Sequence, residues 1–172
     1  MSADTFANAF VVLIFAGLLV AAAATDVRQF RIPNGISLAV VALFPIHVLV
    51  SPHAVGWGLA LGLAALVLVA GVVFFSFGWV GGGDAKLMTA MSLWAGPALF
   101  LPALIVTALA GGVLAVVGLG HWQIMRWRAA RLAAADGEAA AATLPPIEKT
   151  KLPYGVAIAA GGLYVAGRLI AG

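Results

Sequence analysis

Long apolar runs constrain the fold of this chain more than any other feature. Residues 5–25 carry no charge, and further apolar runs cover 54–77, 98–120 and 152–170. About 20 apolar residues cross a bilayer core as a helix. Of the 172 residues, 64% are hydrophobic and 9% are charged, and the mean hydropathy is +1.14. Because the runs are continuous and do not alternate with polar residues, they predict a polytopic membrane protein built from helices.

The runs predict an all-α bundle of about six transmembrane helices in a single membrane-embedded domain, residues 1–172. The fourth segment is short, about 16 Å long at 1.5 Å per residue, so it cannot span the bilayer alone. Gly96 and Pro97 are expected to end it. Residues 126–151 are polar and are predicted to form a cytoplasmic loop. The predicted segments are 6–24, 36–50, 54–77, 85–95, 98–120 and 152–170.

The basic residues predict the orientation. The loops after segments one, three and five fall on one side and hold eight of the nine Lys and Arg residues, all but Arg168. Cytoplasmic loops carry an excess of Lys and Arg, so this side is predicted to face the cytoplasm. The net charge of +3 is thereby explained by orientation in a lipid bilayer, and no nucleic-acid partner is expected. All five Trp residues lie near predicted segment ends, which is typical of residues at the membrane interface.

Two carboxylates stand beside apolar runs on the predicted cytoplasmic side. Asp26 follows the first run, and Asp84 follows Gly81, Gly82 and Gly83 before the fourth. Ionisable residues at membrane depth are costly and mark functional sites. Each Asp alone has a simpler explanation, Asp26 as a juxtamembrane charge and Asp84 as a helix cap. Their placement at one membrane face predicts instead that they form one pair.

Such a pair has a recognisable chemistry. Two carboxyl groups at a site of low dielectric do not easily both ionise, so they share a proton. The ionised Asp can take a proton from a water that attacks an amide carbonyl, and the protonated Asp can donate to the carbonyl oxygen or the leaving amine. Gly81, Gly82, Gly83 and Lys86 are predicted to form a loop where a peptide substrate approaches Asp84, by close backbone contact or a positive φ.

Other chemistries find less support in the sequence. There is no Cys, and neither an H-E-x-x-H zinc motif nor a G-x-S-x-G elbow is present. His47, His53 and His121 are scattered singly and are interpreted as interfacial or packing residues. No metal and no cofactor are therefore expected. The pairs Gly111-Gly112 and Gly161-Gly162 are interpreted as helix-packing positions.

Several motifs resemble those of a known family. Gly81-x-Gly83-Asp84 resembles the GxGD motif of membrane aspartic proteases. Asp84-Ala85-Lys86-Leu87 resembles the prepilin peptidase (type IV leader peptidase) family, as do Ile32-Pro33-Asn34 after Asp26 and Leu152-Pro153-Tyr154-Gly155. The resemblance covers nearly the whole chain. It implies that Asp26 and Asp84 are the catalytic aspartates of an endopeptidase. The implied substrates are type IV prepilins and pilin-like secretion subunits, cleaved at the cytoplasmic face of the bacterial inner membrane.

Within that family the chain resembles the short members associated with Tad/Flp pili, because it lacks the paired Cys residues of the longer bifunctional members. Peptidase activity without N-methylation is therefore expected. A GxGD protease of another branch, such as a signal-peptide-peptidase relative, is disfavoured, since its first Asp lies inside a helix. The alternative from a different class is a non-enzymatic membrane subunit or small transporter that uses Asp26 and Asp84 as a proton or ion relay.

Overall fold

The computed structural model describes residues 3–136 and 152–171, and within those ranges it contains helices and no strands. The all-α prediction is therefore confirmed. Four of the helices are long and apolar enough to cross a membrane, whereas the 17-residue α2 is shorter. The chain is a multi-pass membrane protein, and the predicted count of six spans is not confirmed. The helices are α1 (Ala3–Gln29), α2 (Asn34–Val50), α3 (Trp57–Ser76), α4 (Gly82–Asp136) and α5 (Tyr154–Ala171).

Helix α4 is broken at Gly96, whose φ of 55° and ψ of −179° are not helical. Glycine adopts a positive φ without steric cost, and Pro97 cannot donate a backbone hydrogen bond to the preceding turn. The break predicted at these two residues is confirmed. We call residues 82–95 α4a and residues 97–136 α4b.

The second part of α4 is longer than the predicted fifth segment. Helix α4b continues past residue 120 to Asp136, so the first part of the predicted loop 126–151 is helical. Ala and Arg, which dominate this stretch, are strong helix formers even outside a membrane. The remainder of the predicted loop, 137–151, lies outside the described residues.

Glycines on α5 allow α1 to pack closely against it. A Cβ on Gly162 would meet the side chain of Leu19, and a Cβ on Gly155 would meet that of Asp26. The two glycines are seven residues apart on α5, and their partners Leu19 and Asp26 are seven residues apart on α1. The later glycine meets the earlier residue of α1. Helix α1 therefore lies antiparallel to α5, with small residues at the contact as is usual between membrane helices.

The two parts of α4 run along α5 in opposite directions. Ala103 of α4b contacts α5 at Gly161, while Gly111, further along α4b, contacts Tyr154 at the start of α5. Helix α4b is thus antiparallel to α5. Helix α4a runs parallel to it, because its first residues share the contact residue Ile32 with the start of α5, whereas Met91 reaches Gly162. The chain consequently reverses at Gly96.

Trp94, in the last turn of α4a, is buried rather than interfacial. It is 3% exposed and stacks between Phe15 and His47, with ring centroids 4.1 Å and 5.0 Å away. Its Nε1–H donates to the Val40 carbonyl at 2.9 Å, which satisfies the indole without water. His47 is itself buried and hydrogen-bonded to Asn8 at 2.8 Å. The prediction that every Trp marks the interface is therefore wrong for Trp94, and the packing interpretation fits His47.

Candidate active site

Asp26 lies inside α1, one turn before its end, and not in a loop that follows it. The helix continues to Gln29, and Phe30, with a φ of 48°, ends it by donating its N–H to the Asp26 carbonyl at 2.8 Å. A left-handed residue directly after a helix is a common stop signal. The sequence misplaced this boundary because the end of an apolar run marks membrane depth, not the end of a helix. Signal-peptide-peptidase relatives were disfavoured because their first Asp lies inside a helix. Asp26 is itself helical, so this argument against them is wrong.

Asp84 is the third residue of α4. Its carboxyl group accepts a hydrogen bond from the N–H of Gly81, while the Gly81 carbonyl accepts the N–H of Ala85 at 3.0 Å. This resembles the reciprocal capping box of helix N-termini, where the side chain at the third position caps the residue before the helix. The capping interpretation of Asp84 therefore holds in a modified form, and it is compatible with a second role.

The glycine run is not the loop that the sequence predicted. Helix α4 begins at Gly82, so Gly83 and Lys86 are helical as well. The glycines of positive φ among the described residues are Gly78 and Gly96, which excludes a positive φ as the reason for the run. A Cβ on Gly83 would lie 3.2 Å from Cβ of Ile32 and 3.5 Å from its backbone N. Gly83 therefore allows α4a to approach the backbone that follows α1.

Lys86 joins two of the motifs. Its Nζ donates to Oδ1 of Asn34 at 2.9 Å, and both side chains are exposed. Asn34 is the first residue of α2, where Pro33 occupies the cap position with a φ of −62°. The motif that follows Asp26 and the motif that contains Asp84 are thus hydrogen-bonded to each other.

Gly155 is a site residue that sequence reasoning did not assign. Its backbone N–H donates to Oδ2 of Asp26 at 2.7 Å. It is the second residue of α5, where backbone N–H groups have no partner within the helix. The available signal was its place in the motif Leu152-Pro153-Tyr154-Gly155, although the motif alone does not indicate which of its residues contacts Asp26.

The two Asp side chains come together where three helix ends meet. Asp26 lies near the end of α1 and Asp84 at the start of α4, and the start of α5 contacts Asp26 through Gly155. Ile32 lies between the two segments, since it contacts both Gly83 and Gly155. Asp26 is 5% exposed and Asp84 is half-buried. A pair of interacting carboxyls in such surroundings favours one ionised and one protonated member, which is the requirement for acid–base catalysis.

An apolar cavity of about 710 Å³ lies beside Asp84, between α3, both parts of α4, and α5. Among the described residues, Asp84 is the one carboxylate that lines it. Its walls include Leu66, Phe74, Met88 and Phe100, so it suits an apolar segment better than a polar one. Among residues 3–136 and 152–171, no group of three or more His, Asp or Glu side chains is placed to hold a metal ion.

Comparison with known proteins identifies a family. Residues 13–116 match the sequence model of the type IV leader peptidase family, a range that covers more than half of the chain and includes Asp26, Ile32, Asn34 and Asp84. Searches of curated proteins and of solved structures found no match. The motif resemblance and the family match point to the same group of proteins, and the chain therefore belongs to the type IV leader peptidase family and is a membrane peptidase.

Proposed function

We propose that this peptidase removes the leader from type IV prepilins and pilin-like proteins, with Asp26 and Asp84 as its catalytic pair. The observation that carries the assignment is the meeting of the two motif segments: Ile32 contacts both Gly83, the residue before Asp84, and Gly155, whose N–H is bonded to Asp26. One carboxylate accepts a proton from water as that water attacks the scissile carbonyl. The other, protonated, donates to the carbonyl oxygen or the leaving amine. No cofactor takes part in this reaction.

The surroundings of Asp84 support the substrate class. The apolar cavity beside it suits a precursor whose apolar segment begins close to the scissile bond, so that this segment remains in the membrane while the leader remains in water. The exposed side chains of Arg28, Arg31 and Lys86 cluster in sequence near the two Asp residues. Since basic residues favour the cytoplasmic side, we place the reaction at the cytoplasmic face of the bacterial inner membrane. The resemblance to the short family members associated with Tad/Flp pili makes a pilin precursor of the Flp class the proposed substrate.

The test uses the full chain in nanodiscs with a purified Flp-type pilin precursor, and gel mobility separates precursor from product. Asp26→Asn and Asp84→Asn should each lower the cleavage rate by about 10²- to 10⁴-fold, because Asn can neither accept nor donate the required proton. Asp4→Asn, at the opposite end of α1, serves as the control and should cleave normally.

Two results would contradict the proposal. Cleavage at the wild-type rate by either Asn variant removes that Asp from the mechanism. A well-folded wild-type protein that leaves every pilin precursor intact, yet moves protons across liposomes in a manner that requires both Asp residues, favours the relay interpretation instead.

A further inference from the structure

The carboxylate of Asp26 lies where its own helix disfavours it. Asp26 is in the last turn of α1, next to backbone carbonyl groups that give the C-terminal end of a helix a partial negative charge. It is also 5% exposed, so water does little to solvate it. A side chain in this position needs a donor from another element if its carboxyl is to be held in one orientation.

The start of α5 supplies that donor. The N–H of Tyr154 is bonded to the Leu152 carbonyl at 2.9 Å and the N–H of Val156 to the Pro153 carbonyl at 3.2 Å. The N–H between them, that of Gly155, points out of the turn to Oδ2 of Asp26 at 2.7 Å. The N-terminal end of α5 thus offsets the C-terminal end of α1.

A side chain at this position would crowd Asp26 and Ile32. A Cβ on residue 155 would lie 2.8 Å from Oδ2 and 3.1 Å from Cβ of Asp26, and 2.9 Å from Cδ1 of Ile32. Real Cβ atoms do not approach neighbours below 3.0 Å, so a larger residue must displace the Asp26 carboxyl, the Ile32 side chain or the start of α5. The first displacement breaks the hydrogen bond itself.

We infer that Gly155 is a positioning residue of the peptidase, whose backbone N–H fixes the Asp26 carboxyl for its reaction with water. The inference rests on the proposed function of Asp26. It extends that function beyond the two Asp residues, to a third helix and to a backbone group. Orientation matters at such a site because a displacement of about 1 Å can lower a rate by about 100-fold.

Gly162 provides a matched control on the same face of α5. It lies one heptad after Gly155, and a Cβ there would meet Leu19 of α1, one heptad before Asp26. Gly155→Ala and Gly162→Ala therefore each insert a methyl group into the contact between α1 and α5. The methyl group at residue 155 faces the Asp26 carboxylate, whereas the one at residue 162 faces Leu19. Gly155→Ala should lower kcat by about 10- to 100-fold with little change in KM. Gly162→Ala should lower thermal stability and leave kcat per folded molecule unchanged.

A double variant separates orientation from packing. Ile32→Val removes Cδ1, one of the two atoms that would lie within 3.0 Å of a Cβ at residue 155, but leaves the contact with Oδ2 of Asp26. Gly155→Ala combined with Ile32→Val should therefore regain thermal stability and still show the kcat defect. Recovery of kcat together with stability would overturn the inference, as would an equal kcat loss in Gly162→Ala.

A measurement on the hydrogen bond keeps the test informative if Gly155→Ala does not fold. In the protein labelled with ¹⁵N-glycine, the Gly155 amide proton should resonate downfield and move upfield in Asp26→Asn, while the Gly162 amide should not respond. An unresponsive Gly155 amide overturns the inference. If Asp26→Asn itself cleaves normally, the proposed function fails. If Asp26→Asn is inactive while Gly155→Ala keeps its kcat, the role of Gly155 alone fails.

Discussion

The Lys86 ammonium group donates a 2.9 Å hydrogen bond to the side-chain carbonyl of Asn34, which ties the second turn of α4 to the first turn of α2. Asn34 lies two residues after Ile32, and Lys86 two residues after Asp84. The bond therefore joins the segment Ile32-Pro33-Asn34, which follows Asp26, to the segment that begins with Asp84. Lys86 was predicted to belong to a substrate-approach loop, and its partner suggests that it aligns the two segments.

Lys86→Met and Asn34→Ala should have similar effects on cleavage, because each removes the same hydrogen bond. The bond is exposed, so its coupling energy should be about 0.5–1 kcal/mol. A double-mutant cycle on cleavage rates measures this coupling, and the double variant should be little worse than either single one. Fully additive effects, with Lys86→Met much more severe than Asn34→Ala, would show that Lys86 acts on the substrate directly.

Substitution of Gly83 should harm the protein in proportion to the added volume. Its φ is not positive, so backbone strain does not contribute, and the cost comes from contact with Ile32. Gly83→Ala should destabilise by about 1–3 kcal/mol, and Gly83→Val by more, with a severe loss of cleavage. Gly35→Ala, in the first turn of α2 with open space around it, is the control. Thermal unfolding and cleavage rates measure both effects, and wild-type cleavage by Gly83→Val would leave the glycine without a role in the site.

Gly111 and Gly112 are adjacent in α4b, but their surroundings differ. A Cβ on Gly111 would lie 2.8 Å from Oη of Tyr154, whereas a Cβ on Gly112 has nothing within 4 Å. Gly111→Ala should therefore destabilise by about 1–3 kcal/mol, and Gly112→Ala should be neutral or stabilise by up to about 1 kcal/mol through helix propensity.

Gly111→Ala should also slow cleavage, since Tyr154 precedes Gly155 in the chain. The sequence had indicated only a helix-packing position for Gly111, from which an effect on stability alone would be expected. Unfolding curves and cleavage rates measured on the same samples compare the two effects. Equal behaviour of the two Ala variants would remove the Tyr154 contact from the explanation.

The reversal at Gly96 makes a prediction about membrane topology. Helix α4a, residues 82–95, is about 21 Å long at 1.5 Å per residue, shorter than the roughly 30 Å hydrocarbon core. The chain has no Cys, so single Cys residues can be labelled cleanly. Ala54→Cys and Ala98→Cys, both at exposed positions, should react with an impermeant maleimide from the periplasm. Gln29→Cys should react only after permeabilisation.

Each outcome of this labelling has a definite meaning. Labelling of Gln29→Cys in intact spheroplasts would reverse the orientation and move the Asp pair to the periplasmic face. Labelling at residue 54 without labelling at residue 98 would identify α4a and the start of α4b as a re-entrant hairpin.

Local signals were sufficient for part of the fold and the site. Hydropathy predicted helices, and Gly96-Pro97 predicted the break in α4, because both signals depend on a few neighbouring residues. The proximity of Asp26 and Asp84 followed from counting membrane crossings between them, which requires no knowledge of side-chain packing.

Other features were beyond the reach of sequence patterns. Gly155 contacts Asp26 through its backbone N–H. Nearly every residue has a backbone N–H, so the residue type does not indicate this contact. The contact with Ile32 that explains Gly83 joins segments far apart in the chain. Trp94 was assigned to the interface because a position at a segment end does not reveal that Phe15 and His47 bury the ring from other helices.

The contact between α1 and α5 also has a consequence for biogenesis. Helix α5 is synthesised after every other described helix, so a nascent chain that carries α1 to α4 already holds both Asp26 and Asp84. Until α5 inserts and Leu19 docks on Gly162, the Asp26 carboxylate lacks the N–H of Gly155. If that N–H has the role proposed above, a nascent chain that ends before α5 should cleave more slowly than a chain in which α5 has inserted.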